Sequence, residues 1–133
     1  MSDAVRYERQ GPAAVLTIDR PERRNAVDAA TATALREGLE EFEADAAARV
    51  LILTGAGGEA FCAGADLKAI DLDVDHPAGP MGFTRLTPSK PTIAGVRDEL
   101  LQKVLLARSL RSPSFLAARQ AMESISGAQI EPA

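Results

Sequence analysis

The chain has 133 residues, 46% of them hydrophobic and 26% charged, with a net charge of −4 and a pI near 5.0. That is room for one domain of ordinary globular composition, which excludes a wholly disordered chain, and the acidic balance excludes a general nucleic-acid binder. No run approaches the roughly 18 apolar residues of a membrane-spanning helix, the opening MSDAVRYERQ holds no apolar signal region, and Cys62 is the single cysteine, so the expectation is a cytoplasmic protein without membrane, disulfide or metal.

Residues 4–9 (AVRYER) and 13–18 (AAVLTI) have strand composition, and Gln10-Gly11-Pro12 between them is turn chemistry, so the two predict a hairpin. The polar stretch from Asp19 to Asn25, with Pro21, predicts a loop. Asp28 is placed to cap a helix running to about Ala47. Its apolar stripe is Val27, Thr31, Ala34, Leu35, Gly38, Leu39 and Phe42, at steps of three and four.

Val50-Leu51-Ile52-Leu53-Thr54 is apolar without alternation, the signature of a strand covered on both faces, as in a parallel sheet. Strand–helix–strand from 13 to 54 therefore predicts a right-handed crossover unit. A short helix is expected from Asp66 to Ile70, and a long loop over 71–91, which holds four of the eight prolines. Pro91 to Val96 predicts a further short buried strand. The pattern then becomes helical, with one helix over 97–110 and a second opened by Ser112-Pro113 and stopped by Gly127.

Between the third strand and the short helix lies GAGGEAFCAGAD, residues 55–66. Its glycines have three readings. They are simple punctuation between elements. Alternatively, Gly55 to Ala60 satisfies the dinucleotide pattern G-x-G-x-x-G/A, with Asp75 about twenty residues on, but that motif must open a helix and Gly64 interrupts the place where it would run. In the third reading, small residues leave main-chain N–H groups open to a ligand that approaches closely. Such donors suit a carbonyl oxygen that gains negative charge during a reaction. Cys62 reads as a small core residue, and His76, with no Cys or His neighbours of metal-ligand spacing, as an exposed loop residue.

Three segments together carry a resemblance: VLTIDRPERRNAVD at 15–28, VLILTGAGGEAFCAGADLKAI at 50–70, and KPTIAGV at 90–96. In order and spacing they resemble the N-terminal half of the crotonase superfamily, also called the enoyl-CoA hydratase/isomerase family. The resemblance implies an α/β fold with a crotonase-like β–β–α spiral core, truncated, followed by a helical C-terminal tail. Residues 1–96 would be the family half-domain and 97–133 a tail of unassigned origin. It implies an acyl-CoA substrate, with coenzyme A part of that substrate and no other cofactor. The oxyanion donor carried over is the backbone N–H of Ala65. Arg24 and Ala26 match positions at the CoA end, and Ala63, Gly64, Asp66 and Leu67 match positions lining the pantetheine and acyl channel. Arg20, Arg23 and Arg24 form a local basic patch suited to CoA phosphates; a solvated loop is the competing account of Arg20 and Arg23. The family favours trimers and hexamers, so the resemblance admits a homo-oligomer.

After KPTIAGV the family continues with a glycine-rich segment that brings a second oxyanion N–H and a catalytic glutamate. Here the sequence is RDELLQKVLL, and Glu99 reads as a solvated helix residue. Three alternatives stay open: an enzyme acting on acyl-CoA in shortened form, a non-catalytic acyl-CoA-binding protein that assembles with a partner, and a truncated gene product.

Overall fold

The computed structural model describes residues 3–58 and 60–95. Its elements are β1 (Val5–Gln10), β2 (Ala13–Ile18), a turn of 3-10 helix (Pro21–Arg23), α1 (Ala29–Ala44), β3 (Val50–Gly55) and β4 (Thr92–Gly95). They form one sheet in the order β1-β2-β3-β4. The β1–β2 pair is the expected antiparallel hairpin, turning at Gly11 with φ +60°, a conformation that favours glycine. α1 carries the chain back to the start of the sheet, so β3 pairs parallel to β2, and β4 pairs parallel to β3. All six residues of β2 and five of six in β3 are buried, which is why neither strand alternates in sequence.

Asp28 caps α1 as its sequence position implies: the backbone there is extended, and Oδ1 accepts from Thr31 N at 2.8 Å and from Thr31 Oγ1 at 2.6 Å. The buried face comprises Thr31, Ala34, Leu35, Gly38, Leu39 and Phe42, with Ala32 added. Gly38 lets the helix settle onto β2, since a Cβ there would overlap Leu16 Cδ1. α1 ends at Ala44, three residues short of the expected Ala47. A distant cation caps this end. Lys90 Nζ donates to the carbonyls of Phe42 (2.6 Å), Ala48 (2.8 Å) and Asp45 (3.0 Å) and stands 4.2 Å from the centroid of the Phe42 ring.

Two expectations are corrected. Asp66 to Ile70 is one turn, in which Ala69 N and Ile70 N both bond Asp66 O, and Ile70 leaves it at φ +45°; no helix forms. β4 is not a buried strand: Thr92 and Ala94 are exposed, Ile93 is half-buried and only Gly95 is buried. Residues 71–91 contain turns and neither helix nor strand, as expected. No helix among the described residues is long and apolar enough to cross a membrane. The expected helices over 97–110 and 112–127, with Glu99, lie outside the described residues, as does Glu59.

Candidate functional site

The end of β2 and the end of β3 lie side by side, so the loops that leave them are neighbours. Ile18 pairs with Gly55, and Ala56 N continues the ladder by bonding Ile18 O at 2.8 Å. Beyond that point three more backbone bonds tie residues 24–27 to residues 63–66: Ala63 N to Arg24 O (3.1 Å), Val27 N to Gly64 O (2.8 Å) and Asp66 N to Val27 O (2.8 Å). Val27 and Ala65 thus form an isolated parallel bridge.

This bridge takes the Gly64 carbonyl and the Asp66 N–H, on either side of Ala65, and turns the Ala65 N–H away from the partner segment. Gly64 N is taken by Cys62 Sγ at 3.4 Å, and Lys68 N by Asp66 Oδ1 at 3.0 Å. In the run from Ala63 to Ile70, only the amides of Ala65 and Leu67 donate to no acceptor among the described residues. Ala65 is itself exposed. An exposed, uncommitted N–H is what a ligand oxygen requires.

The glycines before this turn divide by purpose. At Gly55 a Cβ would overlap the Phe61 carbonyl oxygen and lie 2.6 Å from Asn25 Nδ2, so that position serves close approach. Gly64 has open space around it and φ +94°, so it serves the turn. Among the described residues no helix opens directly after Gly55, which removes the geometry a dinucleotide fingerprint needs.

Two side chains staple the loops together, and reading the sequence missed both. Asn25 is fully buried, at φ +59°, a conformation Asn tolerates better than most residues. Its Oδ1 accepts from Arg20 N at 2.8 Å, while Nδ2 donates to Ala56 O at 2.9 Å and Ala60 O at 2.8 Å. The second staple is Arg20. Only 13% of its side chain is exposed; Nη1 donates to Ala26 O at 2.5 Å, and Nη2 reaches Asp66 Oδ2 at 3.1 Å and Asp28 Oδ2 at 3.3 Å. Arg20 is therefore neither a solvated loop cation nor available to a phosphate. Asn25 carried a faint signal, a residue that accepts a left-handed backbone inside a polar loop. Arg20 carried none, because its partner Asp66 is 46 positions away.

Asp66 is buried, and its carboxylate faces Arg20 and the Lys68 amide. Burial alone would push this carboxyl up; the Lys68 N–H and Arg20 outweigh it and hold it below the ordinary value. At Asp28, burial likewise opposes ionisation, and the Thr31 hydrogen bonds and Arg20 win. Among the other positions named from the sequence, Ala26 is buried with its carbonyl engaged by Arg20, Ala63 is exposed, Gly64 is half-buried, and Leu67 is 80% exposed. Arg24 is exposed on a groove of about 420 Å³ that it forms with Pro21, Glu22, Asn25, Ala56, Gly58 and Ala60.

An apolar cavity of about 390 Å³ lies between α1, the sheet and residues 83–88, with Thr84 and Thr92 the polar side chains among the described residues that line it. Cys62 is half-buried against the core. His76 is half-buried rather than exposed: Nδ1 accepts from Ala78 N at 3.0 Å, and Nε2 is 3.1 Å from Arg36 Nη1. Among the described residues no three His, Cys, Asp or Glu side chains gather as metal ligands would.

The family profile described as enoyl-CoA hydratase/isomerase matches residues 8–80, more than half of the chain and the whole of the segment that builds these two loops. The chain belongs to the enoyl-CoA hydratase/isomerase family. A carnitinyl-CoA dehydratase of Salmonella arizonae is 44% identical over 102 residues, covering 72% of this chain and 39% of the relative. The solved carnitinyl-CoA dehydratase of Mycobacterium avium is 48% identical with a TM-score of 0.65, covering 71% of this chain and 38% of that one. An enoyl-CoA hydratase of Mycobacterium marinum, 29% identical with a TM-score of 0.67, matches over 98% of this chain and 70% of its own. The crotonase-like α/β fold expected from the sequence is thus the observed one, and the chain spans about 39% of the length of the curated enoyl-CoA hydratase/isomerase relatives it matches.

Proposed function

We propose that the chain binds an acyl-CoA thioester, with the backbone N–H of Ala65 donating to the thioester oxygen. The observation that carries this reading is the uncommitted amide of an exposed bridge residue, whose neighbours Gly64 N and Asp66 N are both engaged, by Cys62 Sγ and Val27 O. In chemistry of the enoyl-CoA hydratase/isomerase type, that oxygen gains charge as an enolate forms, and a fixed donor stabilises the charge more than it stabilises the neutral carbonyl. Ala63, Gly64 and Leu67 would border the pantetheine and acyl portions, and Arg24 and Ala26 the CoA end. Asp66 would act by fixing the turn. Coenzyme A enters as part of the substrate. The names of the relatives, a dehydratase of carnitinyl-CoA and a hydratase of enoyl-CoA, share a CoA thioester and the gain or loss of water, which favours that substrate class.

One backbone donor contributes roughly 3–4 kcal/mol of transition-state stabilisation, and hydration also needs a positioned acid and base. With Ala65 as the single assigned donor, the reading is thioester binding with slow or no turnover by the chain alone. The coverage of about 39% of the relatives' length favours a second reading, in which a partner polypeptide supplies the other donor and the carboxylates. Titration calorimetry with crotonyl-CoA and with free CoA, followed by a hydration assay, separates these outcomes. Crotonyl-CoA should bind more tightly than CoA, with hydration absent or slow. Equal affinity for the two would remove the thioester site, and rapid hydration would refute the single-donor account.

A further inference from the structure

The geometry points to Arg20 as a positioning residue that aims the Ala65 N–H, acting through Asp66 and without touching the ligand. This inference rests on the thioester reading of Ala65. The amide of Ala65 is uncommitted, so its direction is set only by the residues on either side. On the N-terminal side Gly64 has one bond to the other loop, from Val27 N to Gly64 O at 2.8 Å, its own N–H going to Cys62 Sγ at 3.4 Å within the turn. On the C-terminal side Asp66 is held twice, by its own N–H on Val27 O at 2.8 Å and by its carboxylate on Arg20 Nη2 at 3.1 Å. The same guanidinium bonds Ala26 O and pairs with Asp28, the cap of α1, at 3.3 Å.

One planar group therefore references the Ala65 turn to three fixed points: the exit of β2, the start of α1 and the backbone of Ala26. Arginine suits the task because its fork presents several donors in a rigid plane, where a lysine ammonium presents a single flexible head. Its partners have little water to compete with: Asp66 is 7% exposed and the Arg20 side chain 13%. The turn cannot supply this rigidity itself. Gly64, at φ +94°, is the most pliable residue type, and the turn that follows Asp66 is too short to be stable alone. A donor that stabilises developing charge must not drift, so losing the clamp costs orientation at the site in addition to the stability of a buried ion pair.

The test uses the full chain with Arg20→Met, Arg20→Lys and Asp66→Asn, the last being the mildest because it keeps the side-chain shape. Hydrogen–deuterium exchange without ligand reads the turn directly. The Val27 and Asp66 amides should lose about tenfold protection or more in Arg20→Met and Asp66→Asn while the β2–β3 ladder keeps its own. The second readout is the infrared band of crotonyl-CoA labelled with ¹³C at the thioester carbonyl. Wild type should shift this band to lower frequency on binding, Arg20→Met and Asp66→Asn should lose most of that shift, and Arg20→Lys should recover part of it. A full shift in Arg20→Met or Asp66→Asn, or unchanged exchange at Val27 and Asp66, overturns the positioning role. If wild type neither binds nor shifts the band, the thioester reading itself fails and takes this role with it. The exchange data then still report whether Arg20 holds the turn.

Discussion

Asn25→Ala should destabilise the chain by about 3–4 kcal/mol, and the size follows from what the amide leaves behind. Asn25 is fully buried and makes three side-chain hydrogen bonds, to Arg20 N, Ala56 O and Ala60 O. An ordinary hydrogen bond contributes about 1 kcal/mol net, and a buried partner left unsatisfied costs roughly 1–3 kcal/mol. Arg20 N has no other acceptor among the described residues, so its full penalty applies. Ala56 and Ala60 are half-buried, and water can satisfy their carbonyls in part, which lowers their share. Alanine at φ +59° adds about 1 kcal/mol of backbone strain. Urea unfolding of wild type, Asn25→Ala and Asn25→Gly separates the two contributions. Glycine relieves the strain while losing the same bonds, so it should recover about 1 kcal/mol relative to alanine once its greater unfolded-state freedom is allowed for. Asn25→Asp keeps Oδ1 but turns an anionic oxygen toward two carbonyl oxygens, and should be no better than alanine. If Asn25→Ala unfolds within 1 kcal/mol of wild type, at an unchanged denaturant dependence, the stapling argument is wrong.

Gly55→Ala and Gly64→Ala should differ in kind. The first forces a Cβ onto the Phe61 carbonyl and should cost about 2–3 kcal/mol or more, and the second, strained at φ +94° but unobstructed, about 1 kcal/mol; equal melting temperatures would contradict this division. Tyr7, the single tyrosine, is pushed up to about 12 by burial and by donating to Asp45 Oδ2 at 3.1 Å. Its folded value lies above its unfolded value of 10.0, so its contribution to stability is complete below pH 10.0 and is lost as pH rises toward 12. The phenolate absorbance should titrate with that midpoint, and Asp45→Asn should lower it. Lys90→Met removes the cation that closes α1 and should cost about 2 kcal/mol by thermal unfolding, since three carbonyls lose a charged donor. A smaller loss in Lys90→Arg than in Lys90→Met would support the capping account.

Periodicity and composition alone determined the hairpin, the cap at Asp28, the buried stripe of α1 and the doubly covered β3. Each depends on contacts that repeat along the chain, so each leaves a pattern in it. The three family segments, read in order, also placed the loops that bear on function. Only the tertiary structure decided what joins those loops. Arg20 reads in sequence as one of three basic residues and is in fact a clamp closed on a carboxylate 46 positions on. Lys90 caps a helix that finished more than forty residues earlier. The expected helix after Ala65 is a single turn: Asp66 starts it as a cap would, with Oδ1 on Lys68 N and its carbonyl on Ala69 N and Ile70 N, and Ile70 at φ +45° ends it at once. Charge and hydrogen-bonding capacity are properties of a residue, whereas a partner is a property of the fold. Long-range pairing leaves no period in the sequence to be read.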